Sequence, residues 1–262
     1  MIAGLLRVRL CGAVALAALA GLLLCPDASL AGALPLGCGA WLLASCGTML
    51  NQLQERHSDT LMLRTRHRPL PAGRLRPSTV LAAAVIFGTF GLTLLASCDW
   101  RSAAAGALAL LCYNGLYTPL KKHSALALLP GACCGSLAPA LGWLAGGGQA
   151  DDPRLILLGG LLLLWQLPHF WVLALRHRAD LQRAGLFPDL PLQTSPPLYG
   201  LIFLWTFALS VATLLLPAFG MVPNWAAVLL SLAVWVAPLK SWRTSRTSSF
   251  DCKAVAASAS NS

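Results

Sequence analysis

Charge is scarce in this chain. Only 11% of its 262 residues are Asp, Glu, Lys or Arg, against roughly a quarter in ordinary soluble domains. That shortage excludes a soluble globule and leaves most of the surface to lipid. Alternation of apolar and polar residues is also missing. In lipid only helices and closed barrels satisfy their own backbone, and a barrel strand needs that alternation, so helices remain. None of the nine cysteines forms a Cys-x-x-Cys pair, and no His/Cys spacing fits zinc. They read as small apolar filler inside the runs.

What is present is apolar sequence in long blocks. The chain is 57% hydrophobic, with a mean hydropathy of +0.69. Eight runs approach the length of a membrane span: Leu6 to Leu24, Leu30 to Leu50, Thr79 to Ser97, Ser102 to Leu116, Ala125 to Leu144, Arg154 to Leu175, Leu198 to Leu216 and Trp225 to Leu239. Pro130 and Pro139 interrupt the fifth, a break that membrane helices tolerate where backbone faces protein. The expected architecture is an all-α polytopic membrane bundle within residues 1–240. The tail 241–262, rich in Ser and Ala, reads as disordered.

The basic residues fix the topology. If alternate connections lie on opposite faces, 17 of the 19 Lys and Arg fall on one face, and only Arg101 and Arg154 on the other. The basic face is the cytoplasmic one by the positive-inside rule. A net charge of +10 in a soluble protein would suggest nucleic acid; here topology accounts for it and no nucleic-acid partner is expected. The connections around Asp99 and at Gly146-Gly147-Gly148 read as simple outer turns.

Three inner connections carry chemistry. Residues 51–78 hold Asn51, Glu55 and Asp59, then Arg64, Arg66, Arg68 and Arg74. On one helix, positions spaced by four drift about 40° per step, so the three acidic or amide side chains share a face. Two carboxylates and an amide suit a hard divalent cation that bridges to phosphate. The arginines suit a diphosphate, whose oxygens match the guanidinium fork. The competing reading is a solvated loop with helix-end charges.

The second connection contains Tyr113, Tyr117, Pro119, Lys121 and Lys122. Lys121 is a second phosphate contact, or the lysines are headgroup anchors. The tyrosines line a substrate cavity or form an interfacial belt. The third opens with Trp165-Gln166-Leu167-Pro168-His169-Phe170-Trp171. Pro168 predicts a kink. His169, Arg176 and Asp180 share a stripe if the helix continues. An intramembrane His points to function, or it caps the kinked helix.

Together these stretches resemble the intramembrane prenyltransferases of the UbiA type, and within them the protoheme IX farnesyltransferases. Asn51, Glu55 and Asp59, followed by Met62, Arg64, Thr65, Arg68, Pro69 and Leu70, match the first acidic motif. Tyr117, Thr118 and Lys121 are similar to the Tyr-Thr-x-x-Lys stretch. Gly131 through Gly142-Trp143 resembles the Gly-rich run, and Trp165 to Trp171 with Asp180 and Gly185 the haem-branch motif. The match covers roughly residues 42–188. Leu181 stands where the family commonly has Tyr, and eight runs stand where it has nine spans.

The resemblance implies a UbiA-like bundle of eight or nine helices around a central cavity open at the cytoplasmic face. It implies farnesyl diphosphate and haem b as substrates, and Mg2+ held by Asn51, Glu55 and Asp59. Catalytic roles fall to Glu55, Asp59, Arg64, Arg68, Lys121 and Asp180. Asp180 acts through the metal or by orienting an arginine such as Arg176. Asn51, Tyr117, Lys122, His169 and Arg176 bind substrate, with His169 on the haem side. Haem A synthase or oxidase assembly proteins are the implied protein partners. No mitochondrial-type presequence precedes the first run, which favours a bacterial inner membrane over a mitochondrial one. The rival readings are a UbiA-type enzyme acting on an aromatic quinone precursor, and a non-catalytic transporter or assembly factor.

Overall fold

Each of the eight apolar runs is helical over most of its described residues in the computed structural model, which describes residues 5–26, 28–190 and 196–236, without the side chains of 196 and 197. The helices are α1 Val8–Leu24, α2 Ala33–Gln54, α3 Arg56–Leu61, α4 Pro77–Cys98, α5 Trp100–Leu111, α6 Leu128–Ser136, α7 Ala138–Ala145, α8 Pro153–Arg176, α9 Arg178–Arg183, α10 Pro196–Thr213 and α11 Asn224–Ala233. No strand occurs among the described residues. Five stretches are long and apolar enough to cross a membrane: Leu30–Gln54, Pro77–Cys98, Ala125–Ala145, Pro153–Arg176 and Leu198–Phe219. α1 and α11 are apolar but shorter. No ninth span appears among the described residues, and the tail 241–262 lies outside them.

Local chemistry sets the helix ends. Pro77 begins α4, where its missing N–H costs nothing. Asp99 alone separates α4 from α5 and accepts a hydrogen bond from the N–H of Arg101 at 2.6 Å. Asp152 does the same for Arg154 at 2.8 Å. The fifth run breaks once, at Leu137 between α6 and α7, just ahead of Pro139. Pro139 cannot donate to the preceding turn. Pro168, by contrast, lies inside α8.

The residues group into two compact units, one within Met1–Gln166 and His177–Leu190, the other within Leu167–Arg176 and Pro191–Ser262. In the first, a core of Ala18, Leu22, Leu36, Ala40, Leu43, Leu95 and Leu141 joins α1, α2, α4 and α7. Lipid is as apolar as leucine, so close packing rather than water exclusion holds membrane helices together. Glycine permits it: a Cβ on Gly21 would run into the carbonyl of Pro139, and one on Gly142 into that of Ala18. Gly91 packs on the backbone of Gly39 and Leu43 in the same manner. In the second unit, Ser210 donates to the carbonyl of Ser231 at 2.7 Å and joins α10 to α11. Trp171 meets Trp205 edge-on at 6.1 Å. Large apolar side chains such as Leu81, Val85, Phe90, Phe203 and Phe207 stay exposed on the helices, as lipid-facing surfaces require.

Candidate active site

The sequence predicts one helix from Asn51 to Asp59; the structure interrupts it at Glu55, whose φ of −101° and ψ of 6° end α2 before α3 begins. The spacing survives the break. The N–H of Glu55 donates to the carbonyl of Asn51 at 2.9 Å, and that of Asp59 to Glu55 at 2.8 Å. Asn51, Glu55 and Asp59 are all buried, at 1%, 4% and 1% exposure. Buried charges persist only when paired, and each has found its partner. Arg68 Nη1 lies 2.9 Å from Asp59 Oδ2. Lys121 Nζ forms an ion pair with Glu55 Oε1. Asn51 Nδ2 donates to Thr118 Oγ1 at 3.1 Å, which leaves its amide oxygen for other use. Asp59 Oδ1 is sealed from solvent and accepts no hydrogen bond.

Arg68 reaches Asp59 because the intervening loop turns back on itself. Thr65, fully buried, donates from its hydroxyl to the carbonyl of Asp59 at 3.0 Å. The N–H of Arg68 donates to Thr65 at 2.9 Å, and Leu70 closes the loop in a core with Leu5, Met49 and Val80. Burial and the neighbouring charge of Arg7 lower the pKa of Arg68, while Asp59 raises it. Arg64 is exposed.

Lys121 arrives by a different route. α5 passes into a π-helix over Cys112–Tyr117, then closes with the turn Thr118–Leu120. The N–H of Thr118 donates to the carbonyl of Tyr113, the five-residue spacing of a π-helix, a form that gathers at functional sites. Asn114 holds this segment against α2, donating to the carbonyl of Gly47 at 3.0 Å, and Gln54 donates to Asn114 at 2.9 Å. Tyr113 and Tyr117 stack at 5.6 Å, and Lys121 Nζ sits 4.9 Å above the Tyr117 ring. A Cβ on Gly131 would strike that ring. Burial lowers the pKa of Lys121 and the Glu55 carboxylate opposes that shift. Lys122 is exposed.

Asp180 joins the first loop. Its Oδ1 accepts from the N–H of Leu63 at 3.0 Å, and its Oδ2 from that of Arg64 at 3.2 Å. The predicted stripe of His169, Arg176 and Asp180 fails, because α8 ends at Arg176 and His177 breaks the helix before α9. The arginine at ion-pair distance from Asp180 is Arg183, at 3.4 Å, where the sequence offered Arg176. His169 and Arg176 fall in the second unit, both exposed on α8.

One residue escapes sequence reasoning. Arg7 reads there as a topological charge. In the structure it is half-buried, with a left-handed φ of 44°. The carbonyl of nearby Leu5 accepts from Gln52, beside Asn51, at 2.7 Å. Its charge acts on both Arg68 and Lys121. Among the described residues it pairs with no carboxylate. Nor do three His, Cys, Asp or Glu side chains converge on one point among those residues. A metal here would rest on two carboxylates, the Asn51 amide and ligands from substrate. The orphaned Asp59 oxygen fits such an ion.

The sequence matches the UbiA prenyltransferase family over residues 13–261. The chain belongs to that family. A protoheme IX farnesyltransferase of Geobacter sulfurreducens is 43% identical over 93% of this chain and 90% of its own length. One from Oleidesulfovibrio alaskensis is 40% identical over 85% and 79%. The UbiA fold is equally evident in three dimensions. The apo structure of a UbiA homologue from Aeropyrum pernix K1 superposes with a TM-score of 0.78 at 18% identity, covering 94% of this chain and 93% of its own. A UbiA homologue from Archaeoglobus fulgidus bound to GPP and Mg2+ gives 0.71 at 19%, covering 90% and 84%.

Proposed function

We infer that this chain transfers a farnesyl group from farnesyl diphosphate to the vinyl group of haem b, at the cytoplasmic face of a bacterial inner membrane. The observation that carries the site assignment is the pair of buried carboxylates, each answered by a cation from a different loop: Asp59 with Arg68, Glu55 with Lys121. A lipid-embedded protein has no structural need to bury four charges, because apolar residues of similar volume serve stability as well. It needs them if a charged substrate takes their place. Family membership and the named relatives supply the substrates.

The reaction breaks the C1–O bond of farnesyl diphosphate, giving an allylic cation and diphosphate. C1 bonds to the terminal vinyl carbon of haem. Water adds to the cation left on the inner carbon and loses a proton, which completes a hydroxyethylfarnesyl group. Asn51, Glu55 and Asp59 would hold a Mg2+, and that ion would supply a Lewis acid for the leaving diphosphate. In the structure those carboxylates hold Lys121 and Arg68 at the site. Lys121 and Arg68 stabilise the charge that develops on the diphosphate oxygens, a term worth about 3 kcal/mol per donor. Arg7 and Arg64 add positive charge nearby. Tyr113 and Tyr117 present stacked faces that shield an allylic cation from bulk water.

The test is farnesyl transfer in purified membranes given haem b, farnesyl diphosphate and Mg2+, read by the mass of the extracted pigment. Wild type gives farnesylated haem, and omission of Mg2+ abolishes it. A chain that instead farnesylates only an aromatic quinone precursor overturns the acceptor assignment. Full activity in chelator overturns the metal assignment.

A further inference from the structure

Resting on that reading, we propose that Asp180 is a positioning residue that acts through the main chain of Leu63 and Arg64, and that it is not a metal ligand. Three observations place it there. Both carboxylate oxygens are committed to successive N–H donors from a loop 117 and 116 residues away in sequence. That loop leads directly into the site: Thr65 anchors on the Asp59 carbonyl and Arg68 on the Asp59 carboxylate. And no third acidic side chain converges with Glu55 and Asp59 among the described residues, as it would if Asp180 completed a metal cage.

The segment that carries Asp180 also grips the second cationic loop. The N–H of Phe187 donates to the carbonyl of Lys121 at 2.7 Å, and its ring lies 6.5 Å from that of Tyr117. Phe187 does so with a φ of 54°, a left-handed backbone that a bulky residue adopts only when its surroundings enforce it. Leu186, Phe187 and Leu190 are all buried. Residues 178–190 therefore strap the Arg68 loop to the Lys121 loop. Asp180 is the polar end of the strap and Phe187 the apolar end. The strap fixes the distance between the two cations that must meet one diphosphate. A carboxylate suits the polar end because charge-assisted bonds to N–H groups are roughly twice as strong as neutral ones.

Two readouts on the full-length protein in lipid nanodiscs test this. The first is amide exchange of the peptide covering residues 62–68, followed by mass spectrometry. The second is the Mg2+ concentration giving half-maximal farnesyl transfer. Asp180→Ala should speed exchange of that peptide about tenfold and lower kcat/KM for farnesyl diphosphate about tenfold, with the Mg2+ midpoint unchanged. Asp180→Asn keeps one acceptor oxygen and should fall between Ala and wild type in both exchange and rate. It serves as the test variant if Asp180→Ala does not fold. A Mg2+ midpoint displaced severalfold in these variants, with exchange unaltered, overturns the proposal in favour of direct ligation. Unaltered exchange with an unaltered rate overturns it too. The exchange arm needs no prenyl acceptor, so its result stands whether or not haem proves to be the substrate.

Discussion

Two sets of ion pairs in this protein work in opposite ways. At the two turns that the sequence reads as outer, Asp99 grips Arg101 and Asp152 grips Arg154. Each pair is two residues apart and partly exposed, and each acid also accepts from the N–H of its arginine in the first turn of the helix that follows. In the stretches the sequence reads as inner, Asp59 pairs with Arg68 and Glu55 with Lys121, buried and assembled from separate loops. A local pair satisfies a helix end and needs nothing further. A buried pair drawn from separate loops demands an organised fold around it. The contrast separates charges that hold helices from charges that await a substrate.

The sharpest way to break that contrast is to remove an inner carboxylate. Asp59→Ala and Glu55→Ala should each lower haem farnesylation at least about a hundredfold, measured per folded protein in membranes. Retained activity in both would make the inner pairs as structural as the outer ones. Next in size is Arg68→Lys, which keeps the charge but loses the fork. It should cost about tenfold in kcat/KM; wild-type kinetics would show that Arg68 acts as a mere point charge. A smaller effect is expected outside: Asp99→Ala should lower the thermal midpoint by about 2 °C through the lost cap, with farnesyl transfer unchanged. A strong activity loss there would erase the distinction.

Acidification sharpens the comparison least. Hydrogen bonds from Leu63 and Arg64 hold the Asp180 carboxyl below its ordinary range. Asp99 and Asp152 are lowered chiefly by their arginines. A carboxylate depressed in the folded state contributes stability that is complete above its unfolded pKa, about 3.9, and is lost as pH falls through the lower folded value. These three groups therefore predict a thermal midpoint that does not change on their account between pH 7 and 5. A step in that range would point to a different titrating group.

Much of this was legible in the chain. The spacing of Asn51, Glu55 and Asp59 survives in space even though the single helix does not, because four-residue periodicity outlasts a break at Glu55. What stayed hidden is instructive. Asp180 meets main-chain N–H groups, and such donors leave no trace in residue identity. Arg7 looks like any topological arginine, and sequence does not announce its half-buried setting or its left-handed backbone. The expected stripe from His169 to Asp180 assumed continuity past Arg176, where nothing in His177 signals the break.

The π-helix at Cys112–Tyr117 carries a last consequence. It packs one residue more into its turn than an α-helix accommodates. Were the same six residues to wind as ordinary α-helix, every side chain downstream would swing by about 100°. Lys121 would then point away from Glu55. The wide winding of this stretch is thus a constraint in its own right, since it aims Lys121 as much as residue identity does.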